Sequence, residues 1–217
     1  MTCTIYILTP KSMDKKAYNA AAVKFNLWMP ETKKVCKLRQ DGMTIRQIRQ
    51  KNNEYDIFDA PSEEYSKTIM SVIAKRLDAG GGSFVPLFLR SDERGQKLLC
   101  LITCLLTDPL FYDFTSELIG AKLSCGLFEF DDNDISQFWE RERAKVEKVA
   151  QLNNNTVDVL SRTYKRYLSN AGITDNNRGA RAIYPLIISR DIVKWMTRKR
   201  IKEVLYAMTG KEDGKKH

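Results

Sequence analysis

The chain has 217 residues, 43% of them hydrophobic and 29% charged, enough apolar material for one large core or two small domains. Its net charge of +9 is unevenly spread. Residues 1–50 carry 10 Lys/Arg against 3 Asp/Glu, a net +7; residues 51–140 carry 8 against 16, a net −8; residues 141–217 carry 18 against 8, a net +10. Basic ends around an acidic middle attract nucleic acid or anionic lipid through steering and counterion release. The longest apolar run, Leu98–Leu106, falls well short of the ~20 residues of a bilayer span. No signal-peptide pattern opens the chain, so a cytoplasmic protein with no membrane partner is expected.

In chain order, Thr4–Leu8 resembles a strand, and the alanine-rich stretch Tyr18–Met29 reads as a helix that Pro30 separates from Glu31–Gln40. The stretch ETKKVCKLRQDGMTIRQIRQKNN (31–53) carries the most specific local signal. Val35 and Leu38 mark a short apolar face, Asp41-Gly42 ends it, and Thr44 with Gln47 has the form of a capping box. Two short helices joined by a glycine turn have the plan of a helix-turn-helix. Ile45 and Ile48 would be buried, leaving Arg46, Gln47, Arg49, Gln50 and Lys51 outward, with Lys33, Lys34 and Lys37 on the preceding helix. Arginine suits guanine edges and glutamine suits adenine edges, so this face has residue types able to read a major groove. The plainer reading is a helical hairpin that completes the core behind a polar exterior.

Ser62 can cap a helix in which Tyr65, Ile69, Val72, Ile73 and Leu77 keep helical spacing, ending near Gly80-Gly81-Gly82-Ser83. That glycine run lacks the Gly-Lys-Ser/Thr of a phosphate loop and reads as a hinge. Ser83–Leu89 and Tyr184–Ile188 resemble short strands; Ser91 can cap the Leu98 helix, and Pro109 suits the first position of a helix running to about Lys122. Asp131-Asp132-Asn133-Asp134 departs from a calcium loop, with Ser136 at the glycine position, and is a helix start at Asp132 or Asn133. The helix so begun would contain Ile135, Phe138, Trp139, Val146 and Val149.

In TVDVLSRTYKRYLSNAGI (156–173), Val157, Leu160, Tyr164, Tyr167 and Leu168 converge on one side, with Arg162 and Arg166 nearly opposite and Lys165 on the flank. Asn155 or Thr156 can cap its start and Gly172 its end. Near the C-terminus, Ile192, Val193 and Met196 are out of phase with Ile201, Val204, Leu205 and Met208, so either the helix breaks near Thr197 or one helix serves two neighbours. Lys194, Arg198, Lys199, Arg200 and Lys202 crowd that change of phase. Their mutual repulsion would be relieved by an anionic partner.

The five cysteines, Cys3, Cys36, Cys100, Cys104 and Cys125, are odd in number and read as reduced, mostly buried thiols. Cys100 and Cys104 share a helix face, but there is no Cys-x-x-Cys and the one histidine is the terminal His217, so no zinc site is expected. General acid–base chemistry near neutral pH most often uses histidine. No spacing of Asp, Glu and Lys supports a metal nuclease either. A non-enzyme with no cofactor and no small-molecule substrate is expected.

The fold class is all-α: a multi-helix bundle with a helical region 1–80 carrying the hairpin and a bundle 84–210, packed as one compact unit. Several landmarks resemble a known family. Tyr18, Glu31 and Leu38 before Asp41-Gly42, Arg76-Leu77 closing a helix, Phe138, Thr156, and Ala171-Gly172 together look like the BrxA component of BREX bacteriophage-defence systems. The resemblance implies a small all-helical, NusB-like fold that binds double-stranded DNA beside the system's methyltransferase and ATPase components. An interaction module docking an acidic protein, or an RNA-binding NusB-like protein, are the alternatives. The family has no motif that fixes DNA contacts, so the candidate residues rest on charge and helical phase alone.

Overall fold

The computed structural model describes residues 18–211. The strand expectation at Thr4–Leu8, together with Cys3 and His217, lies outside the described residues. Within them the chain is helical, with one small ribbon. The elements are α1 (Met29–Gln40), α2 (Ile45–Tyr55), α3 (Glu63–Gly80), α4 (Phe84–Arg90), α5 (Glu93–Thr107) and α6 (Pro109–Thr115). A π-turn (Ser116–Gly120) joins α6 to α7 (Ala121–Ser124). Then come α8 (Asp132–Lys145), α9 (Glu147–Ala150), α10 (Asn154–Asn170), α11 (Arg190–Lys199) and α12 (Lys202–Thr209).

Helix starts follow the expected chemistry, with small displacements. Ser62 caps α3 through the Tyr65 N–H, and Pro109 opens α6. Helix α8 starts at Asp132, as expected, and Asp131 caps it in a reciprocal box with Asp134. Asp92, not Ser91, caps α5, while the Ser91 hydroxyl donates to the Leu87 carbonyl. At α10 the cap is Asn153, two residues before the expected Asn155, because three asparagines in a row offer equivalent oxygens. Gly172 stands just past the end of α10 at φ +74°, as expected.

Five stretches differ from the sequence reading. Tyr18–Met29 forms only a 3-10 turn at Ala21–Lys24, and Pro30 lies inside the first turn of α1 rather than dividing two helices. Proline costs a helix nothing there, since the first N–H groups have no intrahelical partner. Ser83–Leu89 is helical, burying Phe84, Leu87 and Phe88; Tyr184–Ile188 has no regular structure. The presumed hinge is a tight, packed corner. Gly81 takes φ +75°, and a β-carbon on Gly80 would meet the Phe84 ring at 2.7 Å. Finally, α8 stops at Val146, and Val149 belongs to the separate short turn α9.

The buried side chains form one contiguous cluster from Tyr18 to Met208. The apolar run 98–105 is its axis: every residue in it is buried. Around it stack Phe111, Phe114, Phe138, Tyr164 and Tyr167, with ring centroids about 5 Å apart (4.8 Å between Phe111 and Tyr164, 5.2 Å between Phe114 and Phe138). Helix α12 lies directly against the π-turn, where a β-carbon on Gly120 would come within 2.8 Å of the Tyr206 carbonyl oxygen. That approach requires glycine. No single helix among the described residues is long and apolar enough to cross a membrane; α5 and the α6–α7 stretch qualify only as a pair, bent by 116°.

Cys36, Cys100 and Cys104 are buried free thiols, and Cys125 is exposed, unlike the buried reading. Burial pushes the Cys36 thiol up to about 12 and that of Cys104 up to about 11, so neither forms a reactive thiolate near neutral pH.

Candidate nucleic-acid interface

The hairpin forms as its sequence specifies. The Thr44 hydroxyl accepts the Gln47 N–H at 3.2 Å, and the Gln47 side-chain oxygen accepts the Thr44 N–H at 2.8 Å. Ile48 is fully buried against α3 and Ile45 is half-buried. The outer face of α2 therefore exposes Arg46, Gln47, Arg49, Gln50 and Lys51. Both glutamine amides already have partners, Gln47 in the cap and Gln50 with Glu54 at 3.0 Å. Arg46, Arg49 and Lys51 make no hydrogen bond or ion pair with the described residues.

On α1 the three lysines part ways. Lys34 is tied to the loop after α2, donating to the Ile57 carbonyl at 3.0 Å and pairing with Asp59 at 3.1 Å. Lys33 and Lys37 instead line a groove between α1 and the α4–α5 corner, with Gln40, Pro86, Leu89, Arg90 and the carboxylates Asp92 and Glu93. Gln40 and Pro86 also line the next groove, of about 490 Å³, whose floor is Ile45, Leu77 and Val85 and whose lip carries Arg39 and Gly81. The two grooves thus run on along one side of α1.

The C-terminal cluster reaches the same place. The helix breaks at Arg200, a left-handed residue at φ 58°, three residues beyond the expected Thr197. This break answers the change of phase: Ile192, Trp195 and Met196 are buried from α11, and Val204, Leu205 and Met208 from α12. Helix α11 runs antiparallel to α4. Asp191 pairs with Arg90 at 3.4 Å, Trp195 packs on Phe84 with centroids 5.9 Å apart, and the Lys199 ammonium comes within 3.1 Å of a β-carbon built on Gly81. Lys199 thereby sits at the C-terminal end of α3, where the helix dipole favours a cation. Lys194, Arg198 and Arg200 are exposed and make no hydrogen bond or ion pair with the described residues; Lys202 is exposed too. Ile45 of α2 lines the same groove as Gly81, and Lys199 of α11 reaches that glycine. Arg39 and Arg90 also line these grooves but are partnered, Arg39 donating to the Met43 carbonyl at 2.6 Å and Arg90 pairing with Asp191. Arg39 stood in the Lys33–Arg39 basic run, while Arg90 carried no sequence signal.

The basic face of α10 is a different matter. Arg162 and Lys165 line a separate groove between α8 and α10, shared with Asp132, Glu140 and Asp158. Lys165, only 19% exposed, pairs with Asp132 at 3.2 Å; Asp132 also accepts from Arg181 at 3.1 Å. Arg166 donates to the Phe25 carbonyl at 3.1 Å, and Arg162 to its own helix at Asp158. These cations mostly fasten α10 to its neighbours.

Comparison with known proteins fits this architecture. A family model described as BrxA matches residues 16–205. The chain belongs to the BrxA family. It is 29% identical over 164 residues to a protein named "BREX protein BrxA" from Bacillus cereus (strain H3081.97), covering 76% of this chain and 82% of that one. The crystal structure of an uncharacterized protein from Magnetospirillum magneticum shares the fold, with a TM-score of 0.74 over 90% of this chain and all of the other, at 16% identity.

The landmarks that resembled BrxA are architectural. The Tyr18 hydroxyl bonds the carboxylates of Asp113 and Glu142. Arg76, 5% exposed, donates to the Asn26 and Leu27 carbonyls at 3.0 and 2.9 Å and lies over the Trp28 ring. Phe138 is a core residue, and Thr156 gives its N–H to the α10 cap. Tyr18 and Arg76 hold the segment before α1 onto the core and so set where the hairpin stands.

Proposed function

We propose that this chain is a non-enzymatic, double-stranded-DNA-binding accessory protein of a BREX phage-defence system, acting beside other components of that system. The observation that carries the reading is the set of exposed cations Arg46, Arg49 and Lys51 on α2 and Lys194, Arg198 and Arg200 on and after α11, which have no partner among the described residues. Unpaired, exposed guanidinium and ammonium groups are what phosphate neutralisation uses. The family membership and the printed name of the Bacillus relative support the defence assignment.

The hairpin packs on α3, and in a helix-turn-helix reading α2 would be the helix that meets the DNA. Gln47 and Gln50 would have to give up their present bonds to read bases, so affinity is assigned to phosphate contacts and sequence preference is modest. Binding of the purified chain to duplex DNA, duplex RNA and single strands, across a salt series, tests the proposal. Tightest binding to duplex DNA, with log affinity falling linearly in log salt, is expected. Preference for duplex RNA would favour the RNA-binding alternative. No duplex binding at about 50 mM salt would favour an acidic-protein dock.

A further inference from the structure

The strongest feature outside the basic face is a small apolar ribbon. Strand β1 (Glu129–Phe130) pairs antiparallel with β2 (Arg181–Ala182), with Glu129 opposite Ala182 and Phe130 opposite Arg181. One step back in this register sets Phe128 against Ile183, whose N–H donates to the Phe128 carbonyl at 2.7 Å. A further step sets Leu127 against Tyr184.

Five large hydrophobic residues are exposed among the described ones, and four of them belong to this ribbon and its continuation. They are Leu127 (52%), Phe128 (55%), Tyr184 (47%) and Ile187 (85%). A single exposed apolar residue needs no explanation, but a cluster marks a contact surface.

The backbone supplies a second, independent observation. The outer side of β2 is already occupied: Asp175 donates its N–H to the Ala182 carbonyl and Tyr184 its N–H to the Ile173 carbonyl. The outer side of β1 has no strand beside it among the described residues, although the Leu127 N–H is taken by the Lys122 carbonyl and the Asp131 N–H by the Asp134 carboxylate, each at 2.9 Å. Because Phe128 and Ile183 form a hydrogen-bonded pair, the alternation of an antiparallel ladder turns the Glu129 N–H and carbonyl outward. An open edge flanked by apolar side chains is a template for one more strand.

Charge narrows the occupant. Asp132 is neutralised by Lys165 and Arg181, and Asp134 by Lys122 at 2.8 Å. Glu129, exposed on the edge itself, has no side-chain partner among the described residues. We infer that the open edge of Glu129–Phe130 is a docking site for an extended segment of a partner protein. Its side chains cover Leu127 and Tyr184 on one face of the ribbon and Phe128 on the other, and a Lys or Arg meets Glu129. This surface is separate in residues and chemistry from the basic face, so the inference does not depend on DNA binding.

The test uses the full chain and three labelled peptides: Lys-Ile-Thr-Ile-Thr-Ile-Lys, the same peptide with alternate backbone nitrogens methylated, and a version with glutamates at both ends. The first should bind saturably and shift the amide resonances of 127–130 and 183–187. Methylation, which removes strand pairing alone, and the glutamate ends should each weaken binding at least about tenfold, or 1.4 kcal/mol. Phe128→Asp and Leu127→Asp, both at exposed positions, should abolish binding with the helical signal intact, and Glu129→Lys should reverse the preference for charge. Absence of saturable binding, or equal binding of the methylated peptide, overturns the proposal. So does concentration-dependent self-association abolished by Phe128→Asp, which would make a second copy the occupant.

Discussion

Helices α2 and α10 look alike as sequences and differ as surfaces. Each sets an apolar stripe against the core and lifts several cations on the other side. On α2, Arg46, Arg49 and Lys51 find no partner among the described residues, whereas on α10 Lys165 meets Asp132 and Arg166 meets a backbone carbonyl. A count of charges treats the two as equal. Pairing separates them, because a cation already held by a carboxylate has less to gain from a phosphate, and a free one adds its full counterion release. Cations of the α2 kind are expected to serve binding, and those of the α10 kind to serve the fold.

The extreme of the paired class is Arg76, and removing it should have the largest effect. Arg76→Leu leaves two inward carbonyls without their donor and uncouples the segment before α1. A loss of about 3 kcal/mol or more in unfolding free energy is expected by denaturant titration. Arg76→Lys should recover only part of it, since the shorter side chain with its compact ammonium loses the planar guanidinium's place over the Trp28 ring.

At the other pole, Gln at Arg46, Arg49 and Lys51 together should weaken duplex DNA binding on the order of 100-fold at low salt. The melting temperature should stay within a degree or two, as checked by fluorescence anisotropy beside calorimetry. If instead the sequence ranking of a random duplex library changes under Arg46→Ala with Gln50→Ala, α2 reads bases as well as phosphates. One lost bidentate contact removes about 1–3 kcal/mol of discrimination. An unchanged ranking leaves the hairpin as a phosphate platform.

For α10 the expectation is reversed and smaller. Lys165→Gln breaks a partly buried pair and should lower stability by about 1 kcal/mol, with DNA affinity changed less than twofold.

The smallest effect concerns Asp108, the cap of α6, which accepts the Phe111 N–H at 3.1 Å and the Tyr164 hydroxyl at 3.3 Å. Loss of surrounding water raises its carboxyl from 3.8 to about 6 despite those bonds. A raised carboxyl favours the folded state when protonated. Its contribution is fully present below about pH 4 and is lost as pH rises through about 6. Asp108→Asn, which keeps an oxygen for the cap, should flatten the stability profile across that window and match or exceed the parent's stability at pH 7.

Local signals were legible in the sequence, and pairing across the fold was not. The Thr44–Gln47 box, the Ser62 cap, Pro109, the buried stripe of α10 and the C-terminal break all follow from neighbours within a few residues. Phe84–Arg90 was misread because a short apolar run fits strand and helix equally, and only its packing between α1, α5 and α11 decides. Tyr18–Met29 has helical composition, but Arg76 holds its Asn26 and Leu27 carbonyls and bends the chain away. For the candidate interface, the sequence supplied Arg46, Arg49, Lys51, Lys194, Arg198 and Arg200. It gave no hint of the Arg90–Asp191 pair, whose members stand 101 positions apart in the chain. Nor did it separate Lys34 and Lys165 from the free cations, since Asp59 and Asp132 reach them only through the fold.

The central claim is that unpaired cations bind and paired ones hold the structure. The most direct measurement is the slope of log affinity against log salt for duplex DNA, taken on the parent, on Arg46/Arg49/Lys51→Gln and on Arg162/Lys165/Arg166→Gln. The account predicts a parent slope of several units, as for roughly 4–8 neutralised phosphates. The α2 variant should lose about two to three units and the α10 variant less than one. A steeper loss in the α10 variant than in the α2 variant would contradict it.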